Sequence, residues 1–257
     1  MEIKVFQTIE ELNNFAADKF IEIGNDAIEK RSEFTVALAG GSTPESLYQL
    51  LASEKYKDKL LWDSVFFFFG DERNVLPEHA ESNFRMANEN LFVPLGINAE
   101  NIFHWNTEFE VPDVIAKDYE TKIIDFFDTA ENEFPIFDLI LLGMGDDGHT
   151  ASLFPFTNAV RTGSGSNRLD SFSDKIVVEN RVEKLDTWRF TFTFPTINNA
   201  SNVFFLVKGE DKAKTLNEVL EGEFDPQKLP SQKVKPTNGN LFWLVDESAA
   251  KFLSTKN

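Results

Sequence analysis

From Thr8 to Arg31 the apolar residues Ile9, Leu12, Phe15, Phe20, Ile23 and Ala27 recur close to a 3.6-residue period, which predicts an amphipathic helix. Thr8 followed by Glu11 reads as a capping box at its start. The pattern then changes to short, mainly apolar runs, at 34–39, 65–69 and 137–142, the middle one apolar at every position. Such runs are expected of parallel strands covered on both faces. Each ends abruptly in glycine and polar residues: Gly40-Gly41-Ser42-Thr43-Pro44, Gly70-Asp71-Glu72-Arg73, and Gly143-Met144-Gly145-Asp146-Asp147-Gly148-His149. Pro44 is suited to a first helical position, and further helices are expected at about 81–91 and 113–127. Later strands are expected at 176–179, 189–194, 203–207 and 241–245, with helices after Gly209 and Asp246 and a Gly- and Ser-rich surface loop over 156–175. Strands alternating with helices predict an α/β fold. One domain with a mostly parallel sheet is the simplest organisation, because no linker or internal repeat divides the chain.

Composition narrows the chemistry. The 257 residues hold no Cys, which removes thiolate nucleophiles, disulfides and cysteine-ligated zinc. A formal charge of −18 disfavours nucleic acid and anionic lipid as partners. No apolar run approaches the ~20 residues that span a bilayer, and no export signal opens the chain, so a soluble cytoplasmic protein is expected.

In open α/β sheets ligands bind beyond the carboxyl ends of the strands, so the three glycine-rich segments converge on one edge if their strands are parallel neighbours. Gly40, Gly41, Ser42 and Thr43 offer backbone N–H groups and hydroxyls at a helix start, a candidate phosphate cradle. Taken alone, the same segment reads first as an ordinary helix-capping turn. Gly143 to Gly148 match the GxGxxG dinucleotide fingerprint, but two aspartates in the turn would repel a pyrophosphate and Pro155 leaves little helix behind it.

His149 follows Asp146 and Asp147 in a strand-end loop, where a carboxylate can fix its tautomer and stabilise its protonated form. His79 and His104 read as capping or surface histidines. A metal site from Asp71, Glu72, Asp147 and His149 is conceivable but poor, because hard cations prefer oxygen and zinc commonly takes more His or Cys; no metal is expected. No Gly-x-Ser-x-Gly elbow is present, so water activated by His149 is a better nucleophile than serine. Arg73, Arg189 and Lys212 are each read as a surface charge or ion-pair partner when taken singly. Together they could counter one phosphate dianion.

The segments Ala39 to Pro44, Phe69 to Arg73, Ser82 to Met86, Phe137 to Pro155, Leu206 to Ala213 and Leu241 to Asp246, with the strand from Arg189, resemble the 6-phosphogluconolactonases. They stand in consistent order over nearly the whole chain. The resemblance implies a single doubly wound, Rossmann-like α/β domain that hydrolyses 6-phospho-D-glucono-1,5-lactone to 6-phosphogluconate, the second step of the oxidative pentose phosphate pathway. It implies no metal or organic cofactor and a small sugar phosphate as partner; a monomer or weak homodimer is expected. By the same resemblance His149 is the base, and Gly40, Gly41, Ser42, Thr43, Arg73, Arg189 and Lys212 hold the phosphate; Asp147, or Asp71 from the neighbouring loop, is expected to orient the imidazole. The related glucosamine-6-phosphate deaminases look similar but place a glutamate directly before the closing proline, where this chain has Phe154, and a tyrosine-like residue in place of Arg73. A non-catalytic sugar-phosphate sensor on the same fold is the alternative from another class; it would have no need of His149 beside paired aspartates.

Overall fold

The computed structural model describes residues 1–130, 133–161 and 174–254. Six parallel strands form the main sheet: β1 (Glu2–Phe6), β2 (Phe34–Leu38), β3 (Val65–Phe69), β5 (Leu139–Leu142), β8 (Asn202–Val207) and β9 (Asn240–Asp246), in the order β1-β9-β8-β5-β2-β3. A second, antiparallel sheet takes β4 (Asp71–Arg73), β7 (Thr187–Phe192) and β6 (Val177–Val182) in that order. The helices are α1 (Ile9–Arg31), α2 (Ser42–Leu51), α3 (Asn83–Ala87), α4 (Val93–Leu95), α5 (Pro112–Phe127), α6 (Asn158–Arg161), α7 (Phe194–Asn198) and α8 (Ala213–Glu221).

The apolar strands β2, β3 and β5 are buried on both sides, as their sequence requires. In β3, Phe66 and Phe68 meet Phe126 while Phe67 and Phe69 meet Phe92, so alternate side chains feed opposite faces of the sheet. Phe68 stacks on Phe103 at 4.6 Å between centroids. Buried residues of both sheets, such as Phe69, Leu141, Phe190 and Phe192, belong to one hydrophobic cluster.

β5, β2 and β3 are adjacent and parallel, so the carboxyl ends expected to converge do so. The chain runs from β2 outward to β3 on one side, whereas β5, β8 and β9 extend the sheet on the other. The crevice between β2 and β5 is therefore the topological switch point, where doubly wound sheets hold their ligands.

Several local expectations change. The Glu11 amide donates to Thr8 Oγ1 at 3.1 Å, but the Glu11 carboxylate accepts from the Gln7 amide, one residue before the cap. Pro44 is the third residue of α2, which starts at Ser42. The helix expected from about 81 begins at Asn83, because the Ser82 hydroxyl caps it, and runs on as a π-helical turn, Asn88–Phe92. Asp71–Arg73 is a strand, because β7 pairs with it. The chain after Asp246 forms turns: the Asp246 carboxylate accepts from the Gly209 and Ala249 amides, which ties the segment down locally. Of the expected 156–175 loop, 158–161 are helical and 162–173 lie outside the described residues. Among the described residues, no helix is long and apolar enough to cross a membrane.

Candidate active site

Beyond β2, Gly41 caps α2 without any side-chain bond, so the first-turn amides of that helix lack a capping acceptor. Gly40 lies against the Asn83 side chain, and a Cβ there would collide with its amide. Thr43 is buried and its carbonyl accepts from Ser46 Oγ at 2.8 Å. Ser42 is exposed, its carbonyl 3.3 Å from Lys208 Nζ.

Beyond β3, antiparallel pairing sets Asp71 opposite Thr191 and Arg73 opposite Arg189. Asp71 and Arg73 thus share one face of the small sheet, with Glu72 on the other. Asp71 is buried; its Oδ2 accepts from Ser152 Oγ at 2.7 Å and its Oδ1 from Asn83 Nδ2 at 3.3 Å. The Glu72 carboxylate accepts from the Arg73, Asn83 and Phe84 amides at 2.8, 2.8 and 2.9 Å and so holds the start of α3. Burial pushes its carboxyl up, against the pull of those amides. Two arginines directly opposite each other repel. Burial lowers the Arg189 guanidinium, and the Arg73 charge lowers it further. Arg73 donates to the Glu81 carbonyl, and Arg189 to the Trp188 carbonyl at 3.2 Å.

Beyond β5 the loop folds on itself: the Gly145 amide donates to the His149 carbonyl at 2.9 Å, and Thr150 Oγ1 to the Gly143 carbonyl at 2.9 Å. The His149 ring lies against Gly145, where any side chain would displace it. His149 Nδ1 is 2.5 Å from Asp147 Oδ1, and Lys184 Nζ bonds the other oxygen of that carboxylate. Burial works to raise the Asp147 carboxyl, but the bonds from His149 and Lys184 outweigh it and hold it well below the usual carboxylate range. An ionised carboxylate can only accept, so in the neutral imidazole the proton sits on Nδ1 and Nε2 keeps a lone pair. Phe154 stacks on the imidazole, 4.1 Å between centroids.

These segments wall a cleft of about 390 Å³. Of the expected residues it gathers Gly40, Gly41, Asp71, Arg73, His149 and Arg189. Asp147 stands behind His149. Ser42, Thr43 and Lys212 are not among the lining residues, and Lys212 Nζ lies 3.3 Å from the neighbouring Asp211 carboxylate. The conceivable metal set does not form: Glu72 is committed to α3, and among the described residues no group of three or more His, Asp or Glu could hold an ion. Sequence reading missed Lys184 and Ser152, which also line the cleft. The 3₁₀ turn Glu183–Leu185 carries no motif; it reaches the site because β6 and β7 form a hairpin.

Residues 7–243 match the family described as glucosamine-6-phosphate isomerases/6-phosphogluconolactonase. The chain belongs to this family. Within it, the 6-phosphogluconolactonase of Nostoc sp. (strain PCC 7120 / SAG 25.82 / UTEX 2576) is 41% identical over 228 residues, 89% of this chain and 88% of that one. That of Synechocystis sp. (strain ATCC 27184 / PCC 6803 / Kazusa) is 40% identical, covering 88% of each. Among solved structures, 6-phosphogluconolactonase from Trypanosoma cruzi superposes with a TM-score of 0.82 at 28% identity, over 99% of this chain and 97% of that one. A monomeric glucosamine-6-phosphate deaminase, 21% identical with a TM-score of 0.75, shares the fold. The α/β architecture expected from the alternation of elements is thus the family's own.

Proposed function

We propose that the chain hydrolyses 6-phospho-D-glucono-1,5-lactone to 6-phospho-D-gluconate, the second step of the oxidative pentose phosphate pathway, with His149 activating water. The observation that carries this reading is the Asp147–His149 pair set at the rim of a cleft that also holds the opposed arginines Arg73 and Arg189. Nε2 of His149 takes a proton from water as the water oxygen bonds to C1, and the Asp147 carboxylate stabilises the imidazolium that forms. The carbonyl oxygen gains charge in that step, and the backbone amides of Gly40 and Gly41, both on the cleft wall, are the donors assigned to it. The bond from C1 to the ring oxygen then breaks, and His149 returns the proton to that oxygen. Arg73 and Arg189 hold the phosphate, whose charge relieves their mutual repulsion and supplies binding remote from the reacting carbon. Asp71 bonds Ser152 and Asn83 at the cleft wall, which supports the reading of Asp147 as the carboxylate that orients the base.

A lactone-hydrolysis assay corrected for the spontaneous reaction tests the activity directly. His149→Ala lowers kcat about 10²- to 10⁴-fold while 6-phosphogluconate still binds. Near-normal turnover in that variant would overturn the mechanism. Glucosamine 6-phosphate releases no ammonia with this protein, because Phe154 cannot carry protons at the position where the deaminases place a glutamate.

A further inference from the structure

Lys184 is a cation of the cleft that the proposed reaction leaves without a task. It sits in the turn joining β6 to β7, its ammonium on Asp147 Oδ2 while His149 Nδ1 holds Oδ1 of the same carboxylate. The ammonium is also 5.1 Å from the centroid of Phe154, the ring that stacks on the imidazole. Lys184 therefore contacts two of the groups that confine His149. Its side chain is about half exposed (52%), so this is no buried structural ion pair.

We propose that Lys184 is a positioning residue for the hydrolysis: by occupying one oxygen of Asp147 it fixes the carboxylate's orientation and divides its charge, so that His149 is held without being over-stabilised as a cation. The inference rests on the lactonase reading with His149 as base. A carboxylate that faced the imidazole alone would turn more freely and would bind the protonated ring more strongly, leaving less free base near neutral pH. The other charges around His149 come from Asp146 on its own loop, Asp71 and Arg73 on β4 and Arg189 on β7. In the structure Asp71 bonds Ser152 and Asn83, and Arg73 and Arg189 donate to backbone carbonyls. Lys184 is the cation bonded to the histidine's own partner.

The test is kcat and KM against pH for Lys184→Met and Lys184→Arg, with His149→Ala alongside. Methionine keeps an unbranched side chain beside Phe154 and removes the charge. The expected result is a kcat lowered roughly 3- to 10-fold at neutral pH and KM nearly unchanged, with the acid limb of kcat moved up on the order of half a pH unit. Arginine restores both. Unchanged kcat and profile overturn the inference, and so does a lost kcat whose acid limb stays in place or is not restored by arginine. A rise in KM alone also overturns it, since that makes Lys184 a substrate ligand. If His149→Ala keeps its turnover, the lactonase mechanism fails and Lys184 loses its role with it. If His149→Ala is inactive while Lys184→Met behaves as the parent, the failure belongs to Lys184 alone.

Discussion

His149 is confined on three sides, by the Asp147 carboxylate, the Phe154 ring and the backbone of Gly145. The glycine makes a sharp prediction. Gly145→Ala inserts a methyl where the imidazole lies, so kcat falls on the order of 10²-fold while the melting temperature moves little, a split that kinetics and calorimetry together detect. Asp147 makes another. Its carboxyl is depressed in the fold, so its contribution to stability is complete above the unfolded carboxylate value of about 3.9 and is lost as pH falls below it. The melting-temperature gap between the parent and Asp147→Asn is accordingly widest above pH about 5 and closes on further acidification. At this scale the sequence was legible where partners are close along the chain. Asp147 and His149 are two residues apart in a glycine-rich turn, so their pairing stood among the expected contacts, with Asp71 as the alternative. The Asp147–Lys184 and Asp71–Ser152 contacts join residues 37 and 81 positions apart, and nothing in local spacing announces them.

Among elements, the apolar runs declared themselves because a strand buried on both faces needs no alternation. β3 with its four phenylalanines was the plainest case, and β2, β5, β8 and β9 were also legible. β4 was not. Its three residues Asp71, Glu72 and Arg73 are polar, and they are a strand only because β7 lies beside them. That pairing decides which face each side chain takes, and so why Glu72 supports α3 while its neighbours turn to the cleft. Glu72→Gln removes a charged acceptor from the amides of Asn83 and Phe84. The expected cost is about 1–3 kcal/mol in denaturant unfolding. Because Asn83 packs on Gly40, activity declines with it. The segment after Asp246 was misread for the opposite reason: its composition suits a helix, but the Asp246 side chain captures the Gly209 and Ala249 amides first.

For the whole molecule, a charge of −18 and an anionic substrate are reconciled by geometry. The cleft at the switch point between β2 and β5 collects Arg73, Arg189 and Lys184 beside Gly40 and Gly41, so cations gather where the proposed phosphate would sit on an acidic body, with Asp71 and Asp146 also on the wall. The facing arginines carry one consequence further. Two guanidinium groups forced opposite each other by strand register are a debt that the empty protein carries and an anion cancels. Ligand should therefore act as a part of the fold. At a concentration 100-fold above its dissociation constant, 6-phosphogluconate adds about 2.7 kcal/mol to unfolding. In a chain of this length, that is a rise of roughly 5–10 °C in melting temperature. Inorganic phosphate gives a smaller rise of the same origin. In Arg189→Ala both responses shrink, and the ligand-free variant melts no lower than the parent, because the repulsion leaves with the side chain. Heat, with no assay of turnover, then reads out how the two strands of the small sheet were registered.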